Sequence, residues 1–441
     1  MAAIHPADTR QLAECIQVLD RHKLSIVPRG SGTGVAGGAV AFDGGVLVSS
    51  SRMNRIESID LPNRVAVVQA GVRNTALSAA VAASGYTFSP DPSSQNASTI
   101  GGNVATNAGG VNTLKRGATT NHVLGVEMVC AGGRIAKTRC GALLDGFGPD
   151  VPALICGSEG TLGLISRVWC RLTPAPRSLR TVYAIFPAID AACQTVSAIV
   201  SAGIVPAALE VVDRGIIEAL RAACGIGFPA DARAMLLIEI EGIDAVLDDE
   251  LADVLRVCQD NQVLDVRHCS TPQDRGELWR ARKQAAGAIG HISRSYCVQD
   301  ACVPRSRLAE VMRNIMDMGH KSGIRITNVF HAGDGNIHPL LLFDEDDAEQ
   351  VQRVLDLSRQ ILEYCVDVGG TITGEHGVGV EKTHLMPRMF NAATLDAFAR
   401  IKQCLDPDRR INDGKAIPSP RIQIDLLRPA APNLPAGALA S

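Results

Sequence analysis

The sequence predicts an α+β protein of at least two domains. Its 441 residues exceed what one ordinary hydrophobic core organises. Apolar residues make up 46% and charged residues 20%, the balance of a packed globular chain. The texture changes at Thr173-Pro174-Ala175-Pro176, a proline-punctuated stretch of linker character. Before it, strand-like runs are separated by glycine tracts; after it, amphipathic helical runs alternate with strands. Aromatics amount to only 3%, so Val, Leu, Ile and Ala must fill the core.

Taken in order, residues 8–22 carry a helical apolar pattern (Leu12, Ile16, Leu19), and residues 24–27 come next as a short strand. Residues 45–49, 65–69, 123–130 and 162–172 read as strands. Beyond the linker, 181–186 and 235–241 are strand-like, whereas 191–202, 245–259, 307–320, 350–366 and 394–405 are helical. The stretch 418–441, rich in proline and alanine, predicts a poorly ordered tail.

Composition also excludes functions. The net charge is −3 and no Lys/Arg run occurs, so nucleic-acid binding has no electrostatic footprint. No apolar stretch is long enough to span a bilayer. Met1-Ala2-Ala3-Ile4-His5-Pro6 lacks the basic and apolar regions of a signal peptide, so a cytoplasmic protein is expected, with membrane association only through partner subunits. The 13 cysteines contain no Cys-x-x-Cys, which argues for reduced thiols rather than an iron–sulfur cluster, a zinc ribbon or a disulfide framework.

Two short segments concentrate the chemistry: His331-Ala332-Gly333-Asp334-Gly335-Asn336-Ile337-His338 and Gly374-Glu375-His376-Gly377. Two imidazoles and a carboxylate suit a divalent metal with open positions, and a further histidine can act as a base. The odd offset between His331 and His338 would put them on opposite faces of a regular strand. A turn at Asp334-Gly335 can bring both rings to one point. Two ordinary turn histidines are the plain alternative; the glycine-flanked Glu375-His376 pair favours the metal.

The glycine tracts carry a second ligand. Gly32-Thr33-Gly34-Val35-Ala36-Gly37 fits the nicotinamide-binding pattern G-x-G-x-x-G behind a strand. That turn needs a helix to start at the glycines and hold the pyrophosphate at its N-terminus. The next residues, Gly38-Ala39-Val40-Ala41-Phe42-Asp43-Gly44-Gly45, make a poor helix, so the match reads as coincidental. A tight turn between strands is one alternative. A loop whose backbone N–H groups line a diphosphate without a helix is the better one. Two more tracts, 90–110 and 157–163, are also rich in small hydrogen-bonding residues and poor in charge. Such walls suit a long ligand held mainly by backbone groups.

Pro28-Arg29-Gly30-Ser31-Gly32-Thr33 resembles the pyrophosphate loop of the FAD-binding fold shared by vanillyl-alcohol oxidase and p-cresol methylhydroxylase. Thr99-Ile100-Gly101-Gly102-Asn103 and Gly157-Ser158-Glu159-Gly160-Thr161-Leu162-Gly163 match the same family in order and spacing. Over nearly the whole chain, to about Lys415, the sequence is most similar to the D-2-hydroxy-acid dehydrogenase branch, that of glycolate oxidase FAD-binding subunits and D-lactate dehydrogenases. The resemblance implies a p-cresol-methylhydroxylase-type FAD-binding domain over 1–176. It implies an α+β substrate (cap) domain with antiparallel sheet over 177–404, carrying the metal and catalytic residues. The chain then returns to the FAD domain over 405–417, ahead of the tail 418–441. Implied FAD contacts are Pro28, Arg29, Gly30, Ser31, Gly32, Thr33, Gly34, Pro90, Asp91, Ser93, Ile100, Gly101, Gly102, Asn103, Thr106, Asn107, Gly109, Glu159, Gly160, Gly163, Ile165 and Asn412. The family carries roughly one more helix and strand at its N-terminus, so an incomplete or differently capped first subdomain is expected. Asn412-Asp413-Gly414-Lys415 stands where the family has Asn-Pro-Gly-Lys; Asn412 keeps a flavin-ring contact while the turn loses its proline.

By the same resemblance His331, His338 and Glu375 occupy the positions of metal ligands (Zn, Mn or Fe), and His376 that of the catalytic base. The metal lowers the hydroxyl pKa of a 2-hydroxy acid, the base takes that proton, and the hydride goes to flavin. In Trp279-Arg280-Ala281-Arg282-Lys283, otherwise a solvated basic turn, Arg282 matches the arginine that binds the substrate carboxylate. Relatives that accept D-2-hydroxyglutarate carry a lysine six positions before a proline matching Pro304; here that position is Val298. A small monocarboxylate, glycolate or D-lactate, is therefore the expected substrate. Electrons are expected to pass to an iron–sulfur partner subunit or a quinone. The competing reading is a non-catalytic flavin-binding scaffold subunit of an oxidoreductase complex. A metal hydrolase without flavin leaves the glycine tracts unexplained.

Overall fold

Asp8 starts the first helix, Thr9–Arg21: its carboxylate accepts from the Gln11 N–H at 2.9 Å. Leu12, Ala13, Ile16 and Leu19 form the buried face at helical spacing. They pack against Ile26, Val46 and Val48 of a three-stranded parallel sheet ordered Ala3–Ile4, Val46–Ser49, Ile26–Arg29. The computed structural model describes residues 2–42, 44–138, 148–224 and 228–419, so the predicted tail lies almost entirely outside them. The far end of the described chain returns to this sheet. Ile411 bridges Ile26 in parallel, and the Asn412 N–H donates to the Ile26 carbonyl at 2.8 Å.

A second sheet orders Ile56–Asp60, Val65–Gln69, Leu164–Arg171, Val123–Val129 and Ile135–Lys137, all antiparallel. The proline-punctuated linker begins in structure rather than as free chain: Thr173–Pro174 pairs antiparallel with Tyr86–Thr87. A two-residue edge pair tolerates proline because the missing N–H need not face a neighbour. The tract 90–110 also departs from a continuous loop. It contains the helix Ile100–Thr106, whose N-cap Thr99 accepts from the Gly102 N–H at 3.2 Å. Two glycines disguise this helix, since glycine is a poor helix former. The packing requires one of them: a Cβ on Gly101 would stand 2.6 Å from the Ala70 Cβ. Among the described residues no helix follows the glycines at 30–38, in keeping with a diphosphate loop rather than a nicotinamide turn.

The third sheet is nine-stranded and carries the chemistry. Its main path runs Asp265–His268, Ser178–Phe186, Ala234–Gly242, Ala208–Asp213, Arg325–His331, Asn336–Ile337, Ala301–Cys302. Pro339–Phe343 pairs with both Arg325–His331 and Ser295–Val298. Helices cover both faces. Leu236, Ile238 and Ile240 join a core with the helices Ile189–Ser201, Asp244–Asp260, Leu308–Ser322 and Ala348–Asp367. Met235, Val212 and Val329 join another with Arg214–Cys224 and Pro272–Ala288. Burial on both faces explains why the strand opens on the unbroken apolar run Ala234-Met235-Leu236-Leu237-Ile238. Among the described residues no helix is long and apolar enough to cross a membrane.

Candidate active site

The glycine tracts meet in one cleft. Its wall includes Pro28, Arg29, Gly30, Ser31, Gly32, Thr33 and Gly34 from the first tract. Ser93, Gly101, Gly102, Asn103 and Thr106 come from the second, and Glu159, Gly160, Gly163 and Ile165 from the third. Glycine exposes backbone N–H groups to a ligand there and supplies the left-handed conformation at Gly32 (φ 73°). The predicted contacts Pro90, Asp91, Ile100, Asn107, Gly109 and Asn412 do not line this wall. Ile100 is core. The Pro90 carbonyl accepts from Asn74 Nδ2 at 2.8 Å, and Asn107 accepts from the Thr120 N–H at 2.9 Å. Asn412 ties two tracts together, donating to the carbonyls of Gly38 and Glu159. Gly109 backs onto Glu375, and Asp91 bonds Asn112 beside the histidines.

Glu375 and His376 also line the cleft. The strand Arg325–His331 and the strand Asn336–Ile337 pair at His331↔Asn336, so the turn at Gly335 (φ 80°) folds His338 back beside His331. A Cβ on Gly335 would overlap the Val303 carbonyl, which accounts for glycine there. The two rings stand 5.3 Å apart, edge to face, and His376 stacks on His338 at 5.1 Å. His331 Nε2 lies 3.3 Å and His338 Nε2 3.7 Å from Glu375 Oε1. His331, His338 and Glu375 thus each offer a ligand atom to one point.

Two atoms of that trio, His338 Nε2 and Glu375 Oε2, are buried with no hydrogen-bond partner. A buried lone pair without a partner is costly, and a divalent cation would satisfy both. The charge agrees. Asp91 and Asp334 face the same centre, and burial pushes them up to about 7 and about 6. Burial would raise Glu375 as well, but the facing His331, His338 and His376 hold it down to about 2. Burial would lower His331, yet Glu210 and Glu375 on either side hold it well above the usual imidazole range. The donor set and its excess of buried carboxylate fit a divalent metal with N/O ligands.

Two carboxylates that sequence reasoning missed organise this centre. Asp300 is fully buried and accepts from Asn336 Nδ2 at 2.8 Å and from the N–H groups of Gly374, Glu375 and His376 at 3.0–3.1 Å. Thr373 Oγ1 and the buried Lys382 ammonium also donate to it. Glu210, equally buried, accepts from His331 Nδ1 at 2.7 Å and pairs with the Arg282 guanidinium. Arg282 is thereby picked out from its neighbours: Arg280 and Lys283 are exposed. Val298 packs on the apolar cluster around Leu340.

Glu159 welds the two halves of the site. Its Oε1 accepts from the Val378 N–H at 2.7 Å and its Oε2 from the Gly379 N–H at 2.8 Å. Replacing Glu159 by alanine leaves both buried donors unpaired. We expect a loss of about 2–4 kcal/mol in chemical denaturation, together with weakened flavin retention on gel filtration.

Residues 1–139 match the sequence profile of an FAD binding domain, and 175–416 match that of the FAD linked oxidases' C-terminal domain. The chain belongs to the FAD-linked oxidases. This oxidase is 39% identical over 419 residues to glycolate oxidase subunit GlcD of Escherichia coli (strain K12), over 95% of its own length and 84% of the relative's. It is 31% identical over 417 residues to a D-lactate dehydrogenase of Archaeoglobus fulgidus, over 94% and 90%. Crystalline p-cresol methylhydroxylase with substrate bound shares its fold with a TM-score of 0.77 at 16% identity, over 96% and 90% of the two chains. The oxidase is thus an FAD-linked oxidoreductase with a p-cresol-methylhydroxylase-type FAD-binding domain.

Proposed function

We propose that this oxidase converts a small D-2-hydroxy monocarboxylate, glycolate or D-lactate, to the 2-oxo acid. The carrying observation is that Glu375 and His376 line the FAD cleft while Glu375 also faces His331 and His338. FAD, when bound, supplies the hydride acceptor. A divalent cation (Zn, Mn or Fe), when held by His331, His338 and Glu375, supplies Lewis acidity toward the substrate hydroxyl. His376 Nδ1 or Nε2 accepts the hydroxyl proton. Arg282, whose Nε is buried and unpartnered, holds the substrate carboxylate. Val298, standing where the resemblance puts the lysine of dicarboxylate-accepting relatives, offers no cation to a second carboxylate, which favours a monocarboxylate. The relatives named as oxidase subunits, and the lack of a Cys-x-x-Cys, support electron transfer to an iron–sulfur partner subunit or a quinone.

The test is anaerobic bleaching of the bound flavin by glycolate, D-lactate and L-lactate, before and after chelation. We expect bleaching by glycolate and D-lactate, slowed about 10²-fold or more by metal removal and restored by added Zn²⁺ or Mn²⁺. Reduction unaffected by chelation refutes the metal's role. A flavin bleached by no 2-hydroxy acid establishes the scaffold reading instead, and D-malate or D-2-hydroxyglutarate as the preferred reductant overturns the monocarboxylate.

A further inference from the structure

We propose that Glu210 is a positioning residue that sets the spacing between the metal ligands and Arg282, and so favours acids with hydroxyl and carboxylate on adjacent carbons. The inference rests on the functional reading above. Glu210 stands on the strand Ala208–Asp213 directly opposite His331 on the strand Arg325–His331. Its Oε1 accepts from His331 Nδ1 at 2.7 Å, and its Oε2 pairs with the guanidinium of Arg282 on the helix Pro272–Ala288. One carboxylate therefore grips a ring on a strand and a cation on a helix.

Each grip has a consequence. With a cation bound, a carboxylate at Nδ1 would keep the proton on that nitrogen and leave the Nε2 lone pair to the cation, on the side of Glu375, whose Oε1 is 3.3 Å away. Arg282 is held at one end by Glu210, while its buried Nε has no hydrogen-bond partner. The guanidinium thus keeps a donor for a ligand oxygen. Because ring and guanidinium hang from the same carboxylate, the cation site and this donor cannot drift apart independently. A 2-hydroxy acid offers its hydroxyl and carboxylate at a short, fixed separation; a 3-hydroxy acid spans one carbon more.

FAD-loaded wild-type protein and E210Q are compared by calorimetric titration with Zn²⁺ and Mn²⁺. At saturating metal, the KM for glycolate and the inhibition constant of 3-hydroxypropionate are then measured. We expect E210Q to retain flavin and to bind metal about 10–100-fold more weakly. Its KM for glycolate should rise more than the inhibition constant, so discrimination narrows; a merely structural role would move flavin content and leave that ratio unchanged. Independently of whether E210Q folds, ¹⁵N NMR of the Zn²⁺-loaded wild type should show His331 protonated at Nδ1, and ligation through Nδ1 overturns the inference. A reducible, metal-binding wild type matched by E210Q in metal affinity and discrimination overturns it alone. A wild type that binds neither metal overturns the functional reading and this inference with it.

Discussion

Replacing His376 by asparagine should slow anaerobic flavin reduction by about 10²–10⁴-fold while leaving the flavin bound. His376 reaches the cleft wall and stacks flat on His338, with ring planes 2° apart. Asparagine keeps a polar side chain of similar reach and cannot titrate, so a fall in rate at unchanged flavin content isolates proton transfer. Burial lowers the His376 pKa to about 4. The ring is therefore neutral, and able to accept a proton, at every pH well above that value. Protonation removes the base as pH falls through about 4. We expect the acid limb of the wild-type pH–rate profile near 4, against about 6.5 for an unperturbed histidine. The asparagine variant should lack that limb. An undiminished reduction rate would remove His376 from the chemistry.

The second large effect is at Asp300. Substitution by alanine leaves the Lys382 ammonium, 1% exposed, without its counter-charge. Breaking a buried pair by removing one partner costs about 3–5 kcal/mol. The three N–H groups of Gly374, Glu375 and His376 lose their acceptor at the same time, and those residues include a proposed ligand and the base. We expect D300A to lower the denaturation midpoint by an amount matching that cost, or not to accumulate folded. D300N, which keeps the volume, should fold and still lose substrate-driven reduction. Burial would raise Asp300, but Lys382, His338 and His376 hold it well below the usual carboxylate range. Its contribution is thus present above the unfolded value of about 3.9. It is lost only as pH falls from there through the lower folded value. A D300N protein with wild-type metal binding and reduction would remove the loop-organising role.

Much of this was legible in the chain. The strand 65–69 and the helices over 8–22, 245–259 and 350–366 appear within two residues of where periodicity puts them. Apolar spacing is a local property and survives into the fold. The glycine tracts were legible as a ligand wall, since few other uses explain so much exposed backbone. The helix Ile100–Thr106 was hidden because its two glycines answer to the approach of Ala70, not to helix propensity.

The identities of His331, His338, Glu375 and His376 were set by sequence alone, because each sits in a short glycine-flanked segment that marks itself. Glu210 and Asp300 carry no such mark. Glu210 lies in Ala208-Leu209-Glu210-Val211, an unremarkable strand pattern, and meets His331 across 121 residues of chain. Asp300 gathers donors from 36 to 82 residues away. Arg282 is one of three basic residues within four positions; resemblance alone singles it out there, and its pairing with Glu210 supplies the physical distinction. The groups proposed to perform the chemistry are thus written in the chain. What holds them is written in the folded arrangement, because a charge becomes an organising group only when sheet register and helix packing bury it against a partner.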